Sequence, residues 1–109
     1  MIKPPLSKLV DDIIEWHYAR NLIEGSTDLD QFGKLQEEVL ELHEALICNS
    51  YLDNYTPEIT DAIGDIIVVL INMAERNGLS IKDCLAVAYN DIKDRKGKMV
   101  DGIFVKEES

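Results

Sequence analysis

The sequence predicts an all-α domain built like a four-helix bundle, with a short extended tail. Three observations carry this. Apolar residues recur at three- and four-residue spacing in four stretches. Prolines, glycines and short polar residues punctuate those stretches where helix ends belong. Only the tail MVDGIFVKEES departs, with two short apolar pairs about Asp101-Gly102 that suit a small hairpin or an extended arm. With 109 residues, the expectation is a single domain spanning 1–109.

The first helix is expected from about Leu6 to Asn21. Pro4-Pro5 cannot continue a helix, Ser7 is a reasonable N-cap, and Leu9, Val10, Ile13, Ile14 and His17 share helical spacing. Gly25-Ser26-Thr27-Asp28 reads as a turn with N-cap candidates. The second helix follows from about Leu29 to Asn49, with Leu35, Val39, Leu42 and Leu46 as its expected core stripe. A polar loop runs from Asn49 to Tyr55. Thr56-Pro57 then opens the third helix, a cap followed by the proline favoured at a first helical position. That helix continues to Asn77, where Gly78 supplies a left-handed stop. Ser80 with Asp83 resembles a capping box, opening a fourth helix expected from about Ile81 to Lys96 and ended by Gly97.

Composition narrows the function classes. Hydrophobic residues make up 46% of the chain, as in folded proteins. The net charge is -10, from 21 acidic and 11 basic residues, which opposes loose binding to nucleic acid or anionic membranes and suits a protein that gathers cations. Cys48 and Cys84 form no CxxC pair and no metal-site spacing with histidine, so free buried or half-buried thiols are expected. MIKPPLSKLV lacks the long apolar run of a signal peptide, and IGDIIVVLINMA is too short to span a bilayer. The expectation is a soluble cytoplasmic protein without nucleic-acid or membrane partners.

The informative stretch is KLQEEVLELHEAL, residues 34 to 46. At about 100° per residue, Glu38 lies beside the expected core stripe and Glu41 one step further round. Gln31 and Lys34 share that flank, Glu37 sits at its outer edge, and His43 and Glu44 point away. The third helix repeats the theme: Glu58, Asp61, Asp65 and Asn72 share one side. Asp65 stands inside a run that is apolar on almost every face, and a carboxylate buried there needs a partner. A divalent cation shared with Glu38 and Glu41 would meet that need, and oxygen-only ligands point to magnesium. The plainer alternatives are a solvated acidic face for Glu37 and Glu44, and a buried hydrogen bond from Asp65 to Tyr18 or Asn72.

These residues resemble the all-α nucleoside triphosphate pyrophosphohydrolase superfamily, in particular its small MazG-like members, whose signature is an EExxE helix followed by an ExxD helix. Glu37-Glu38-Val39-Leu40-Glu41 matches the first half. In the second half Ala62 stands where an acid would precede Asp65 by three, so Asp61 is a substitute, or Glu58-Ile59-Thr60-Asp61 is itself the ExxD. DAIGDIIVVLINMAERNGL is similar to the family's third helix as a block, which favours Asp65 with Asp61. WHYARNLIEGS and YNDIKDRKGKMVDGIFVKE are similar to its first and last helices, so the resemblance covers nearly the whole chain.

The resemblance implies a MazG-type fold and hydrolysis of a nucleoside or deoxynucleoside triphosphate to the monophosphate and pyrophosphate. It implies magnesium, with manganese as a substitute, held by Glu38, Glu41 and Asp65 with Asp61 as a further ligand, and Glu37 or Glu38 as general base. Lys34, Asn90, Lys93, Arg95 and Lys96 would bind phosphates, and Trp16 and Asn21 the base. Lys98 extends that basic cluster, whose plainer explanation is favourable charge at a helix C-terminus. A homodimer or homotetramer is expected, since the apolar faces exceed what two short helices can cover. Two other classes stand beside this one. A di-iron carboxylate bundle needs Glu-x-x-His pairs, and neither His17 nor His43 has a glutamate three residues before it. A non-catalytic helical oligomerisation module with a vestigial metal site has no reason to keep Asp65.

Overall fold

A computed structural model describes residues 2–48 and 57–107; the expected loop from 49 to 55 and the cap at Thr56 lie outside the described residues. The described elements are α1 (Leu6–Ala19), α2 (Asp28–Cys48), α3 (Pro57–Arg76), α4 (Ile81–Ile92), β1 (Gly97–Val100) and β2 (Ile103–Lys106). The protein is therefore mostly helical with one two-stranded antiparallel sheet.

Helix ends follow local chemistry, with two corrections. Pro5, not Ser7, is the N-cap of α1, and it makes no side-chain cap bond. Proline's fixed φ and lack of an N–H settle the entry two residues earlier than the serine would. Thr27 caps α2, its hydroxyl accepting from the Asp30 backbone N–H at 3.1 Å. Gly78 closes α3 at φ 70°, with the Leu79 N–H donating to the Ala74 carbonyl and the Gly78 N–H to that of Glu75, the paired bonds of a Schellman end. Ser80 caps α4 by accepting from the Lys82 N–H at 3.2 Å. The second correction is the end of α4: it stops at Ile92, short of Lys96, and Gly97 begins β1 instead of ending a helix. Pairing with the returning strand claims the backbone there, and Gly97 lies so close to Val105 and Phe104 that a Cβ would collide. Asp101 and Gly102, at φ 50° and 82°, form the two-residue turn with both centres left-handed that suits a tight hairpin.

Among the described residues the helices do not close into a four-helix bundle. Instead α3 is an axle: α1, α2 and α4 each pack on it, while among the described residues their backbones do not pack on one another. One ion pair, Lys82 to Asp11 at 3.1 Å, links α4 to α1. The core is correspondingly small, with Val10, Ile23, Ala45, Ala62, Val69, Ile71 and Ala74 as its buried apolar residues.

The expected core stripe of α2 is rotated. Glu38 and Ala45 are buried, Leu35 and Leu42 are half-buried, and Val39 and Leu46 are exposed. Small Ala45 and Ala62 line one groove of the α2–α3 seam, which turns the bulkier Val39 and Leu46 outward. The cysteines also differ from expectation, since both are free and exposed.

Two buried polar groups pin α1 to α3. His17 is 3% exposed and Asn72 is fully buried. The Val68 carbonyl can only accept, so His17 Nε2 carries the proton and donates to it at 2.9 Å. That leaves Nδ1 to accept from Asn72 Nδ2 at 3.3 Å, and the same amide donates to the Leu22 carbonyl at 3.0 Å. One asparagine thus stitches α3 both to α1 and to the chain leaving it. Arg76 adds a second tie, donating to the Ile23 carbonyl and to Asp28 Oδ1 at the start of α2.

Candidate metal centre

The antiparallel seam of α2 and α3 brings the acids together. One carboxylate oxygen from each of Glu38, Glu41 and Asp65 falls in a group whose members all lie within 4.8 Å of one another. Glu38 and Glu41 sit three apart on α2 and so share a face, while Asp65 comes across from α3. Their environments are graded: Glu38 is buried, Asp65 half-buried and Glu41 exposed.

The charge balance of this cluster is incomplete. Lys34 Nζ reaches Glu38 Oε1 at 3.1 Å and Glu37 Oε2 at 3.5 Å. The other oxygen of Glu38, Oε2, is buried and has no hydrogen-bond partner. The repulsion is registered by its neighbours. Glu41 holds its proton above the ordinary carboxylate range, first because of the charge on Glu38 beside it. Asp65 is pushed the same way, by burial first and by the charges of Asp61 and Glu38 next. Lys34 is shifted up as well, held by its bond to Glu38. One lysine among these carboxylates leaves an excess of negative charge beside a buried, unpartnered oxygen, which is what a hard divalent cation neutralises.

The donor set fits such an ion. Magnesium at about 2.1 Å from each ligand places neighbouring donors of an octahedron about 3 Å apart, so oxygens within 4.8 Å of one another would close by up to about 1.8 Å to bind it. Three carboxylates also leave coordination positions for water or phosphate.

The rival partners for Asp65 are engaged elsewhere. Asn72 is committed to His17 and Leu22, and the Tyr18 hydroxyl donates to Glu75 at 3.4 Å. The other sequence-predicted residues fall as follows. Asp61 is exposed one turn before Asp65 and borders the cluster. Glu37 lies outside the three-carboxylate group, exposed and paired with Lys34. Ala62 is buried, so the position that departs from the EExxE/ExxD pattern faces the seam. Trp16 is half-exposed, with the Arg20 guanidinium 4.3 Å above its ring. Asn21 has φ 56° and closes α1, its side chain packed over Gly25. Asn90, Lys93, Arg95 and Lys96 are exposed at the end of α4 and just beyond it. Among the described residues α4 packs on α3 and not on α2.

Sequence reasoning also missed part of the site. Next to the cluster, Glu41, Glu44, Glu58 and Asp61 line an open pocket of about 440 Å³ with Ala45, Cys48 and Ala62. Glu44 was expected to point away; the rotation of α2 brings it to this rim. Spacings of three and seven from Glu41 to Glu44 and Cys48 were the available signal.

Comparison with known proteins adds one relative. The chain is 40% identical over 72 residues to the uncharacterized 18.2 kDa protein in the rep-hol intergenic region of Haemophilus phage HP1 (strain HP1c1), covering 66% of this chain and 41% of the relative. The chain thus spans about two fifths of the length of that curated relative. No family model matches the chain, and no solved structure matches it significantly. Among the described residues, no helix is long and apolar enough to cross a membrane.

Proposed function

We propose that this chain is a magnesium-dependent nucleoside triphosphate pyrophosphohydrolase with a MazG-type all-α fold. The observation that carries the reading is the convergence of Glu38, Glu41 and Asp65, the buried Glu38 having one oxygen without a hydrogen-bond partner. A solvated acidic face would not bury its central glutamate. The sequence resemblance to MazG-like enzymes suggests the substrate class, and the grouped carboxylates support a cation beside it.

Glu38, Glu41 and Asp65 would hold magnesium, with Asp61 at the border and manganese as a substitute. The ion, when bound, supplies positive charge against the triphosphate oxygens. Lys34 orients Glu38 through its 3.1 Å contact with Oε1. Glu37, outside the ligand group, exposed and paired with Lys34 at 3.5 Å, would take a proton from the attacking water. In the balanced reaction the water oxygen bonds to phosphorus, the bridge between the α- and β-phosphates breaks, and the monophosphate and pyrophosphate leave.

The test is pyrophosphate release from a panel of canonical triphosphates, with and without magnesium, by the wild type and Glu38→Gln. Magnesium-dependent release lost in the variant supports the enzyme. No release from any triphosphate by a folded protein rejects that activity on canonical nucleotides and favours a helical oligomerisation module that retains the acids without the chemistry.

A further inference from the structure

The last part of the described chain is built as though something were missing beside it. Residues 93–106 include β1, β2 and the basic linker before them. Among the described residues, neither strand packs on any helix. An isolated two-stranded hairpin is marginal in water and needs a surface to lie on. This one is apolar on both faces: Met99 and Phe104 oppose each other on one, Val100 and Ile103 on the other, all between 42% and 68% exposed.

Surface area gives the scale of what is uncovered. The chain exposes 8747 Å². A compact monomer of 12.3 kDa exposes about 6,100 Å². The excess of about 2,600 Å² is well above the about 800 Å² that each partner contributes to a standard stable interface. The radius of gyration, 16.7 Å, is likewise above the about 13 Å expected of a closed domain this long.

Charge indicates the occupant. Residues 93–106 carry Lys93, Arg95, Lys96, Lys98 and Lys106 against Asp94 and Asp101, a net of +3 in a chain of -10, so the remainder is at -13. The arm is complementary in charge to the helical body of its own sequence, yet among the described residues its strands pack on none of those helices. A second copy satisfies both conditions, since it presents the same acidic helices with their outward apolar side chains, Val39 and Leu46 among them. We propose that the arm of residues 93–106 seats on the acidic helical body of a second copy of this chain. The exchange covers the hairpin, and it brings a basic cluster to an acidic surface.

The experiment compares the full-length wild type with Ile103→Asp/Phe104→Asp, one substitution on each hairpin face. Sedimentation equilibrium at low and high salt gives the association constant, and circular dichroism checks helicity. The expected result is a self-associating wild type whose association weakens with salt. The double variant should associate about thirtyfold more weakly or worse with its helices retained. A monomeric wild type overturns the proposal, as does an association that the double variant leaves unchanged. If the variant loses helicity, concentration-dependent hydrogen exchange of the wild type decides instead. Amides of 97–106 protected at high concentration and released on dilution support the docked arm; equal exchange at both concentrations overturns it.

Discussion

Glu38 on α2 and Asp65 on α3 face each other across the seam with carboxylate oxygens within 4.8 Å, and the buried oxygen of Glu38 has no hydrogen-bond partner. Two like charges this close raise the free energy of the folded state unless a cation or a proton intervenes. Glu38→Gln should therefore leave the metal-free protein as stable as the wild type or more so. Magnesium should raise the wild-type melting temperature by several degrees, since saturation at a hundred times Kd contributes about 2.7 kcal/mol. The variant should lose most of that rise. Differential scanning calorimetry with and without magnesium checks both statements.

The pH dependence has a definite sign. Glu41 and Asp65 keep their protons to higher pH in the folded chain than in the unfolded one. Their ionisation costs folding stability above the raised values, and the cost fades as pH falls toward the ordinary carboxylate range. Lys34 has the opposite charge and a raised pKa; its contribution is complete below its ordinary pKa and is lost only as alkaline pH passes the raised value. Relative to Glu38→Gln, metal-free wild type should thus gain stability on acidification from neutral pH. The stabilisation by magnesium should shrink over the same interval, because its ligands must be deprotonated. Urea denaturation at several pH values, with and without magnesium, reads both trends; parallel curves for the two proteins would refute the coupling.

Lys34 competes with any metal for Glu38. Removing its ammonium with Lys34→Met should lower metal-free stability by about 1 kcal/mol, as for a charge-assisted bond with one half-exposed partner. It should also enlarge the gain from added magnesium. Isothermal titration with magnesium would expose the error if the variant bound more weakly.

The His17–Asn72 pair should be structural in its effect. Asn72→Ala leaves the Leu22 carbonyl and His17 Nδ1 without their donor inside the core, at a cost of about 2–3 kcal/mol. The loss should appear in the urea midpoint and be independent of magnesium. A magnesium-dependent loss would instead tie Asn72 to the metal centre.

Gly25→Ala should also destabilise, because a Cβ there would come 2.5 Å from the Asn21 backbone carbonyl oxygen. Backbone cannot yield as a side chain does, and a cost of about 1–3 kcal/mol is expected. Thermal melts check it, with Gly33→Ala as the comparison, since nothing crowds that position.

Much was legible in one dimension because the governing forces are local. The turn at Asp101-Gly102, the stop at Gly78 and the cap at Ser80 depend on residues a few positions away, and each lies where the sequence placed it. The juxtaposition of Glu38 and Glu41 follows from helical spacing alone, and their meeting with Asp65 from the antiparallel return of α3. The end of α4 was misread because strand pairing, a contact with residues about ten positions later, claimed Gly97.

Tertiary structure decided which side of each helix faces inward. The apolar residues of α2 cover more of its surface than α3 can bury, so hydrophobicity alone could not choose between Leu35-Leu42 with Val39-Leu46 and the face centred on Glu38 and Ala45. Small side chains at Ala45 and Ala62 favoured the second, and with it came the burial of Glu38 and the turn of Glu44 toward the acidic pocket. His17 and Asn72 stand 55 positions apart, and nothing in helical periodicity foretells their bond. Residue order settled where helices start and which acids share a turn, because those are questions of a few bonds; packing settled what each acid meets, because that depends on the shapes of surfaces far apart in the chain.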